Sequence, residues 1–309
     1  MRPLSWLPVA ALGVTLTGCI PDVIPRCDGV EPICGSTGDD NCCAPGQKVA
    51  GGTFQRDNDP AHTATVGDFF LDRYEVTVGR FRQFVEAYPE SRPNVGDGAH
   101  PSVENSGWNE AWSKHLPADA GALTKSLGCN PNFRTWTDEA GSGEALPIDC
   151  VSWYLAAAFC AWDGGRLPSE AEWSYAAAGG DAQNPYPWGA DLPDAKHAVF
   201  GCNDKTAGCA FSDLRRVGST PAGDGRFGQS DLAGSMAEWV ADRFGPYPAR
   251  CDIGDCLALD PAAAGRPARG GDWTNVSSFL ELSSKSHDVA SQPAETPQDF
   301  IGFRCARDP

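Results

Sequence analysis

Three sets of residues in this 309-residue chain could do chemistry: thirteen cysteines, five histidines and one acidic turn. No two histidines have the i, i+4 spacing of a metal-binding helix, so they do not indicate a metal site. The chain also lacks a serine nucleophile elbow, a phosphate-binding glycine loop and an HExxH motif. The histidines are His62, His100, His115, His197 and His287.

The cysteines are better explained as disulfides than as metal ligands. Without Cys19, twelve remain, and an even number is typical of a disulfide framework in an oxidising compartment. Four of them crowd a Gly-, Asp- and Pro-rich segment, which predicts a small cross-linked stalk over residues 19–47. Zinc is the alternative, but the spacing lacks a pair of CxxC knuckles. These four are Cys27, Cys34, Cys42 and Cys43, and three connectivities are open to them.

The acidic turn has the sequence DLAGSMAE and spans residues 231–238. Its two ends, Asp231 and Glu238, are carboxylates, and backbone carbonyls lie between them. Hard oxygen ligands on a turn are what Ca²⁺ requires, so the turn predicts a calcium site. The alternative is that Asp231 caps a turn and Glu238 lies on a solvated strand.

Short helices and strands must position these groups. Ser152 is a predicted N-cap for a helix that stops at Asp163-Gly164-Gly165, and Ser169 opens a capping box for a second helix that ends at Gly179-Gly180. Thr77 caps an earlier helix. Residues 91–144 show no periodicity, which predicts a long ordered insertion. Strands are predicted at 49–54, 64–71, 236–241, 268–273 and 301–306, and stapled loops at Cys129/Cys150, Cys202/Cys209 and Cys251/Cys256.

The N-terminus predicts export. Arg2 precedes an apolar run, Leu4 to Leu16, that is too short to span a bilayer, and the ending Leu16-Thr17-Gly18-Cys19 resembles a bacterial lipobox. The resemblance implies that residues 1–18 are a signal peptide and that Cys19 is lipidated, anchoring the chain in the cell envelope. An ordinary secretory peptide is the alternative.

Two further features bear on location and partners. Ile20 stands where an Asp retains some lipoproteins in the inner membrane, which favours the outer membrane. The formal charge is -17, so nucleic acid and anionic membrane surfaces would repel the chain. We therefore expect no nucleic-acid partner and a membrane contact through lipid alone.

Six motifs in a fixed order resemble the formylglycine-generating enzymes, also called sulfatase-modifying factors. The resemblance covers about Lys48 to Arg307 and predicts a domain at 48–309. It implies a disulfide-stapled α+β fold with little regular structure, related to C-type lectins. The motifs are Tyr74-Glu75-Val76-Thr77, Val151-Ser152-Trp153, Gly165 to Trp173, Tyr186-Pro187-Trp188-Gly189, Arg269 to Trp273 and Gly302-Phe303-Arg304-Cys305.

The same resemblance implies specific partners within the fold. It pairs Cys160 with Cys305, tying the last strand to the central helix. It also implies calcium ligands: the side chains of Asp231 and Glu238 and the carbonyls of Gly234 and Met236. The turn departs from the family pattern, since it lacks an Asn and one Trp, and the second calcium site of the family is not recognisable around residues 197–208.

The resemblance also implies where the reaction should occur. Formylglycine-generating enzymes oxidise a substrate cysteine using two cysteines that bind copper(I) as thiolates. Their positions correspond here to Asn275 and Leu280, and the sequence has no cysteine from Leu257 to Arg304. We therefore predict no copper, no formylglycine formation and a non-catalytic module that binds a peptide, protein or glycan in a cleft near Asp272, Trp273 and Asn275.

Two other functions are open from the sequence. A non-haem metal could be assembled from Asp272 and two histidines, which would make the chain an oxidoreductase acting on an exported substrate. A scaffold for secretion or motility machinery is the third class.

Overall fold

A computed structural model describes residues 29–43, 46–202, 205–206, 208–252, 256–260, 265–281 and 289–309. The predicted signal peptide, Cys19, Cys27 and His287 lie outside these residues. Within them, no helix has the length and apolarity needed to cross a membrane. The helices are α1 (Val78–Glu86), α2 (Ala120–Ser126), α3 (Trp153–Trp162) and α4 (Glu170–Ala177).

Three small sheets accompany the helices, and each of their ten described strands is two to four residues long. The first has the order β1-β4-β10, the second β2-β3-β6 and the third β8-β7-β5-β9. The fold is therefore α+β with little regular structure. The strands are β1 (Gln47–Val49), β2 (Gly52–Gln55), β3 (Thr63–Val66), β4 (Phe69–Leu71), β5 (Ala237–Trp239), β6 (Arg250–Cys251), β7 (Arg266–Arg269), β8 (Val289–Gln292), β9 (Ile301–Gly302) and β10 (Ala306–Arg307).

Helix boundaries follow the predicted caps. The Ser152 side chain accepts a hydrogen bond from the Leu155 N–H, and Thr77 caps α1 in the same way. Ser169 and Glu172 form the predicted capping box at the start of α4. The predicted caps are confirmed. Each is a hydrogen bond within one helical turn, so it depends on local sequence alone.

The core forms where α1, α3 and the C-terminal segment meet. Phe159 of α3 stacks on Phe81 of α1 with ring centroids 5.5 Å apart and packs edge-on against Phe303 at 5.4 Å. Seven of the ten residues of α3 are buried and the other three are partly buried. A helix that is apolar on all sides belongs in a core, so α3 is the centre of the domain.

The insertion at 91–144 is more regular than predicted. It contains a 3-10 turn at Glu110–His115 and helix α2, whose N-cap is Asp119. Sequence periodicity missed both because each is short and mostly solvent-facing. Trp112 packs edge-on against Trp153 of α3 with centroids 5.2 Å apart, which fastens the insertion to the core.

The prediction of a stalk over residues 19–47 needs correction for its described part. Cys34 and Cys42 are buried against Tyr74 and Val217, and the Tyr74 hydroxyl donates to Asp40 at 2.7 Å. The Gly35 N–H also donates to the Val217 carbonyl. From residue 29 to residue 43 the chain therefore packs on the domain, since the disulfide loop supplies apolar surface that composition alone did not reveal.

Every cysteine in the described part of the chain is in a disulfide, which leaves no thiols there for zinc. Cys160 and Cys305 are bonded, joining α3 to the residue before β10 across 145 positions. The predicted stapled loops are present as well. The other described pairs are Cys34–Cys42, Cys129–Cys150, Cys202–Cys209 and Cys251–Cys256.

A buried ionic network fixes the same C-terminal segment. Arg80 donates to Asp72 at 2.9 Å and to Asp163 at 2.7 Å, and Arg307 donates to both carboxylates as well. All four residues are buried. Two arginines and two aspartates neutralise one another, so the network links β4, α1, the end of α3 and β10 without a net buried charge.

Candidate functional site

The segment 270–275 is built around two adjacent glycines. Gly270 and Gly271 have φ angles of 100° and 68°, which favour glycine. A Cβ on Gly271 would lie 2.8 Å from the Phe279 carbonyl oxygen and 3.1 Å from Leu280, so the close approach also requires glycine. The turn therefore brings the residues after β7 back towards Leu280.

Two neighbouring loops hold this segment by backbone hydrogen bonds. On one side the Trp273 N–H donates to the Ser235 carbonyl at 2.8 Å. On the other side the N–H of Cys202 donates to the Trp273 carbonyl, and the N–H of Gly201 donates to the Asn275 carbonyl at 2.7 Å. The segment thus lies between the acidic turn and the loop that Cys202–Cys209 closes.

Two of the predicted cleft residues, Asp272 and Trp273, are buried and make contacts within the protein. The Asp272 carboxylate accepts from the Thr274 N–H at 2.8 Å and from its hydroxyl at 2.5 Å. Trp273 is 1% exposed and packs against Phe133 with ring centroids 5.3 Å apart. Burial raises the pKa of Asp272. The expected open cleft at Asp272 and Trp273 is therefore not present, and of the three residues only Asn275 is partly exposed.

Leu280 occupies the second of the two positions where the family resemblance places a copper-binding cysteine; the first is Asn275. It ends a short 3-10 turn, Ser277–Leu280, and is 1% exposed. Its side chain packs with Tyr186, Ala198 and Ala233. Asn275 makes a different contact, since its side-chain oxygen accepts from the Asp272 N–H at 3.1 Å. The position of Leu280 is thus apolar and buried, and the side chain of Asn275 stabilises the turn by a hydrogen bond.

Glu238, a predicted calcium ligand, faces a guanidinium. Arg304 donates to both carboxylate oxygens, from Nε at 2.7 Å and from Nη2 at 2.6 Å. The Trp173 indole N–H adds a third hydrogen bond at 2.9 Å. This bidentate pair is fully buried, so Glu238 does not lie on a solvated strand.

Asp231 and Glu75 complete an acidic cluster around Arg304. The Asp231 carboxylate accepts from the Gly218 N–H at 2.5 Å, and Glu75 accepts from the Met236 N–H at 2.9 Å. Burial raises the pKa of Asp231 to about 6. Burial, helped by Asp231 and Glu238, also raises the pKa of Glu75 well above its usual value. Three buried carboxyl groups therefore surround one guanidinium. If all three were ionised, their negative charge would exceed that of Arg304, and a second cation could balance the excess.

Glu75 was missed as a site residue from the sequence. It belongs to the Tyr74-Glu75-Val76-Thr77 motif, which supported only the family resemblance. Its hydrogen bonds reach Ser235 and Met236, about 160 positions along the chain. Only the tertiary structure brings these groups together, so the motif alone could not place Glu75 beside the acidic turn.

The histidines lie apart from this site. Each described one faces a carboxylate of its own: His62 faces Asp59, His100 faces Glu172, His115 faces Glu295 and His197 faces Asp194. Among the described residues, the potential metal-ligating cluster consists of Asp72, Asp163 and Cys305. Cys305 is in a disulfide and both aspartates pair with arginines, so this cluster is structural. An iron triad on Asp272 finds no support in the described part of the chain.

Buried acids predict an unusual dependence of stability on pH. Burial raises the pKa of Asp149 to about 8 and that of Asp242 to about 7. An acid whose pKa is higher in the folded chain stabilises fully below its unfolded pKa, about 4, and this contribution is lost as pH rises through the folded value. We expect the melting temperature to fall between about pH 5 and pH 9.

Asp149→Asn tests this expectation. The variant keeps an oxygen for the Thr135 N–H and hydroxyl, which both donate to Asp149, but it cannot ionise. We expect it to remove a slope of about 1.4 kcal/mol per pH unit between about pH 5 and pH 8. Asp181→Asn is the control because its carboxylate is 79% exposed. Parallel melting curves for wild type and Asp149→Asn across this range would show that Asp149 does not titrate as described.

Known proteins resemble the chain over most of its length. The family described as "Sulfatase-modifying factor enzyme 1-like domain" matches residues 38–309. A formylglycine-generating enzyme from Streptomyces coelicolor is 31% identical over 273 residues, covering 81% of each chain. An "Inactive C-alpha-formylglycine-generating enzyme 2" from Mus musculus is 30% identical over 270 residues, covering 80% of this chain and 77% of the mouse protein.

Solved structures show the same fold. The structure of PvdO from Pseudomonas aeruginosa superposes with a TM-score of 0.56 at 24% identity, covering 85% of this chain and 93% of PvdO. At that identity the likeness concerns the fold alone.

Proposed function

The chain belongs to the sulfatase-modifying factor family, and from this premise we propose that it is a non-catalytic member that works as a binding or structural module in the cell envelope. One observation carries the proposal. The two positions where the family resemblance places copper-binding cysteines are Asn275 and a buried Leu280, and each described cysteine is in a disulfide. The copper(I) site of the family is made of soft thiolates, and the described residues offer none.

The relatives make a non-catalytic member plausible within this family. The mouse relative carries the word "inactive" in its name, whereas the Streptomyces relative is named as an enzyme. The two are almost equally similar to this chain. Overall identity therefore does not decide activity, and the residues at the site do.

Copper binding and oxygen consumption test the proposal. Under anaerobic conditions we expect no stoichiometric binding of Cu(I), and with a cysteine-containing sulfatase peptide we expect no oxygen uptake above background. The Streptomyces enzyme is the positive control. Tight binding of Cu(I) or Fe(II) together with peptide-dependent oxygen uptake would instead establish an oxidoreductase.

We further propose that calcium stabilises the domain through the acidic turn. Asp231 and Glu238 supply hard carboxylate oxygens, Gly234 and Met236 supply carbonyls, and the cluster holds more acids than cations. Glu238 would share its oxygens with Arg304. When bound, the ion would balance negative charge of the carboxylates in this buried cluster.

Calcium addition should raise the melting temperature. At a calcium concentration about 100 times Kd, a bound ion stabilises the folded state by about 2.7 kcal/mol. Asp231→Asn should lose this response, whereas Asp181→Asn, on the surface, should keep it. Identical melting curves in calcium and in EDTA would show that calcium does not stabilise the domain and that Arg304 alone balances the negative charge of the acidic turn.

We also propose that Cys19 anchors the protein by lipid, with the outer membrane favoured by Ile20. The supporting observations are the lipobox-like ending of the N-terminal segment and the disulfides of the described cysteines, which suit an oxidising compartment. The ligand of the module would then be a peptide, protein or glycan outside the cytoplasm.

A further inference from the structure

Strand β2 has one paired edge and one outer edge. It pairs with β3 in the register Gly52 to Val66 and Phe54 to Ala64, and in the described chain no strand lies on its other side. The Thr63 N–H points away from β2 and donates to the Ala249 carbonyl on the other side of β3. Thr63 and Gln55, which is paired with it on β2, therefore form a non-hydrogen-bonded pair. The backbone groups of Gln55 and Thr53 therefore point outwards.

Side chains cover both ends of this outer edge. The Gly51 N–H donates to Asp68 at 2.8 Å, and the Gln55 N–H donates to Gln183 at 2.9 Å. Between them, the Thr53 N–H and C=O bond to no other described residue, and Thr53 is exposed. One residue of β2 thus presents a donor and an acceptor side by side, the pattern that another extended backbone completes.

An open groove of about 390 Å³ runs along this edge. It is lined by Thr53 and Gly52 of β2 and by Tyr175, Phe227 and Arg226. The rings of Tyr175 and Phe227 stack with centroids 6.0 Å apart, which gives the groove an apolar wall. An extended ligand could therefore place a side chain on the rings while its backbone meets Thr53.

Charge limits the kind of ligand. The two carboxylates beside the groove are ion-paired, Asp181 with Arg226 at 2.8 Å and Asp68 with Lys48 at 3.0 Å, so the local charges balance and the charge of the whole chain decides. The whole chain carries -17. A neutral or basic segment is favoured over an acidic one, which the protein would repel.

We propose that the outer edge of β2 binds an extended, neutral or basic peptide segment of a partner protein. One peptide residue pairs with Thr53 through two backbone hydrogen bonds, and a neighbouring apolar side chain packs on Phe227. This is strand addition limited to a single residue pair by the Asp68 and Gln183 caps. The proposal does not depend on whether the segment after Gly271 is catalytic.

Thr53→Pro removes the outward N–H, which bonds to no other described residue, and proline is tolerated at such edge positions. Thr53→Val is the matched control: it keeps the N–H and, like proline, lacks the hydroxyl that contacts Thr65 at 2.9 Å. The probe is a phage library of random linear heptapeptides, panned on the wild-type protein. Enriched peptides are then synthesised and their affinities measured for both variants.

We expect enriched peptides that contain Lys or Arg beside an aromatic residue. They should bind Thr53→Val like the wild type and bind Thr53→Pro about tenfold more weakly. N-methylation of the paired peptide amide should cause a similar loss on the wild-type protein, a measurement that holds even if Thr53→Pro is unfolded. No enrichment, or equal binding to a folded Thr53→Pro and to Thr53→Val, would overturn the proposal.

Discussion

Replacing Arg304 with methionine should destabilise the domain by about 3–5 kcal/mol, because it leaves Glu238 buried without its partner. Arg304 also donates to the carbonyls of Asp72, Arg73 and Ser230, which would lose their donors. Methionine keeps much of the volume, so the loss reflects charge and hydrogen bonding. Urea denaturation at neutral pH measures the change.

The surface pair of Arg226 and Asp181 provides the control. Arg226→Met breaks an ion pair whose side chains are 54% and 79% exposed, so we expect a change of at most about 1 kcal/mol. The deficit of Arg304→Met should also shrink as the pH falls below about 6, where the neighbouring Asp231 protonates. If Arg304→Met is as stable as Arg226→Met, the acidic cluster does not need its guanidinium.

Removing the Cys160–Cys305 disulfide should have the other large effect. The bond closes a loop across 145 positions, and the chain-entropy model gives about 5 kcal/mol for a loop of that length. The double variant Cys160→Ala, Cys305→Ala avoids a reactive thiol and a buried hydroxyl. Its melting temperature should fall sharply under non-reducing conditions.

The matched control removes a disulfide that closes a short loop in the same protein. Cys202 and Cys209 are seven positions apart, and the same model gives about 2.5 kcal/mol for the pair Cys202→Ala, Cys209→Ala. Equal destabilisation by both double variants would mean that loop length does not govern the stabilisation, and that strain or residual structure in the unfolded chain dominates.

Local signals in the sequence were sufficient for the helices of the core. Ser152 and Ser169 cap their helices through bonds within one turn, so no distant residue is needed to predict them. The family motifs added the fold class and the Cys160–Cys305 pair. The short α2 escaped because seven residues give too little periodicity.

The site was less predictable because it depends on distant contacts. Trp273 is buried by Phe133, about 140 positions earlier, and Glu75 reaches the acidic turn across about 160. The Asp272 carboxylate, by contrast, accepts from Thr274 only two residues on, a local turn that the Asp-Trp-Thr sequence could have indicated. The predicted cleft was therefore wrong at Asp272 and Trp273, while the chemistry expected of Asn275 and Leu280 stays a prediction.

The C-terminal segment has a further consequence for how the chain reaches its native state. Residues 301–308 supply β9, Arg304, the Cys305 bond and β10, and the Asp72 N–H donates to the Cys305 carbonyl 233 positions away. The helices α1, α3 and α4 are local, but two of the three sheets and the ion pairs of Glu238 and Asp72 are incomplete until these residues are in place. Docking of the last strand is therefore a non-local step, and until it occurs strand edges and buried acids of the domain lack their partners.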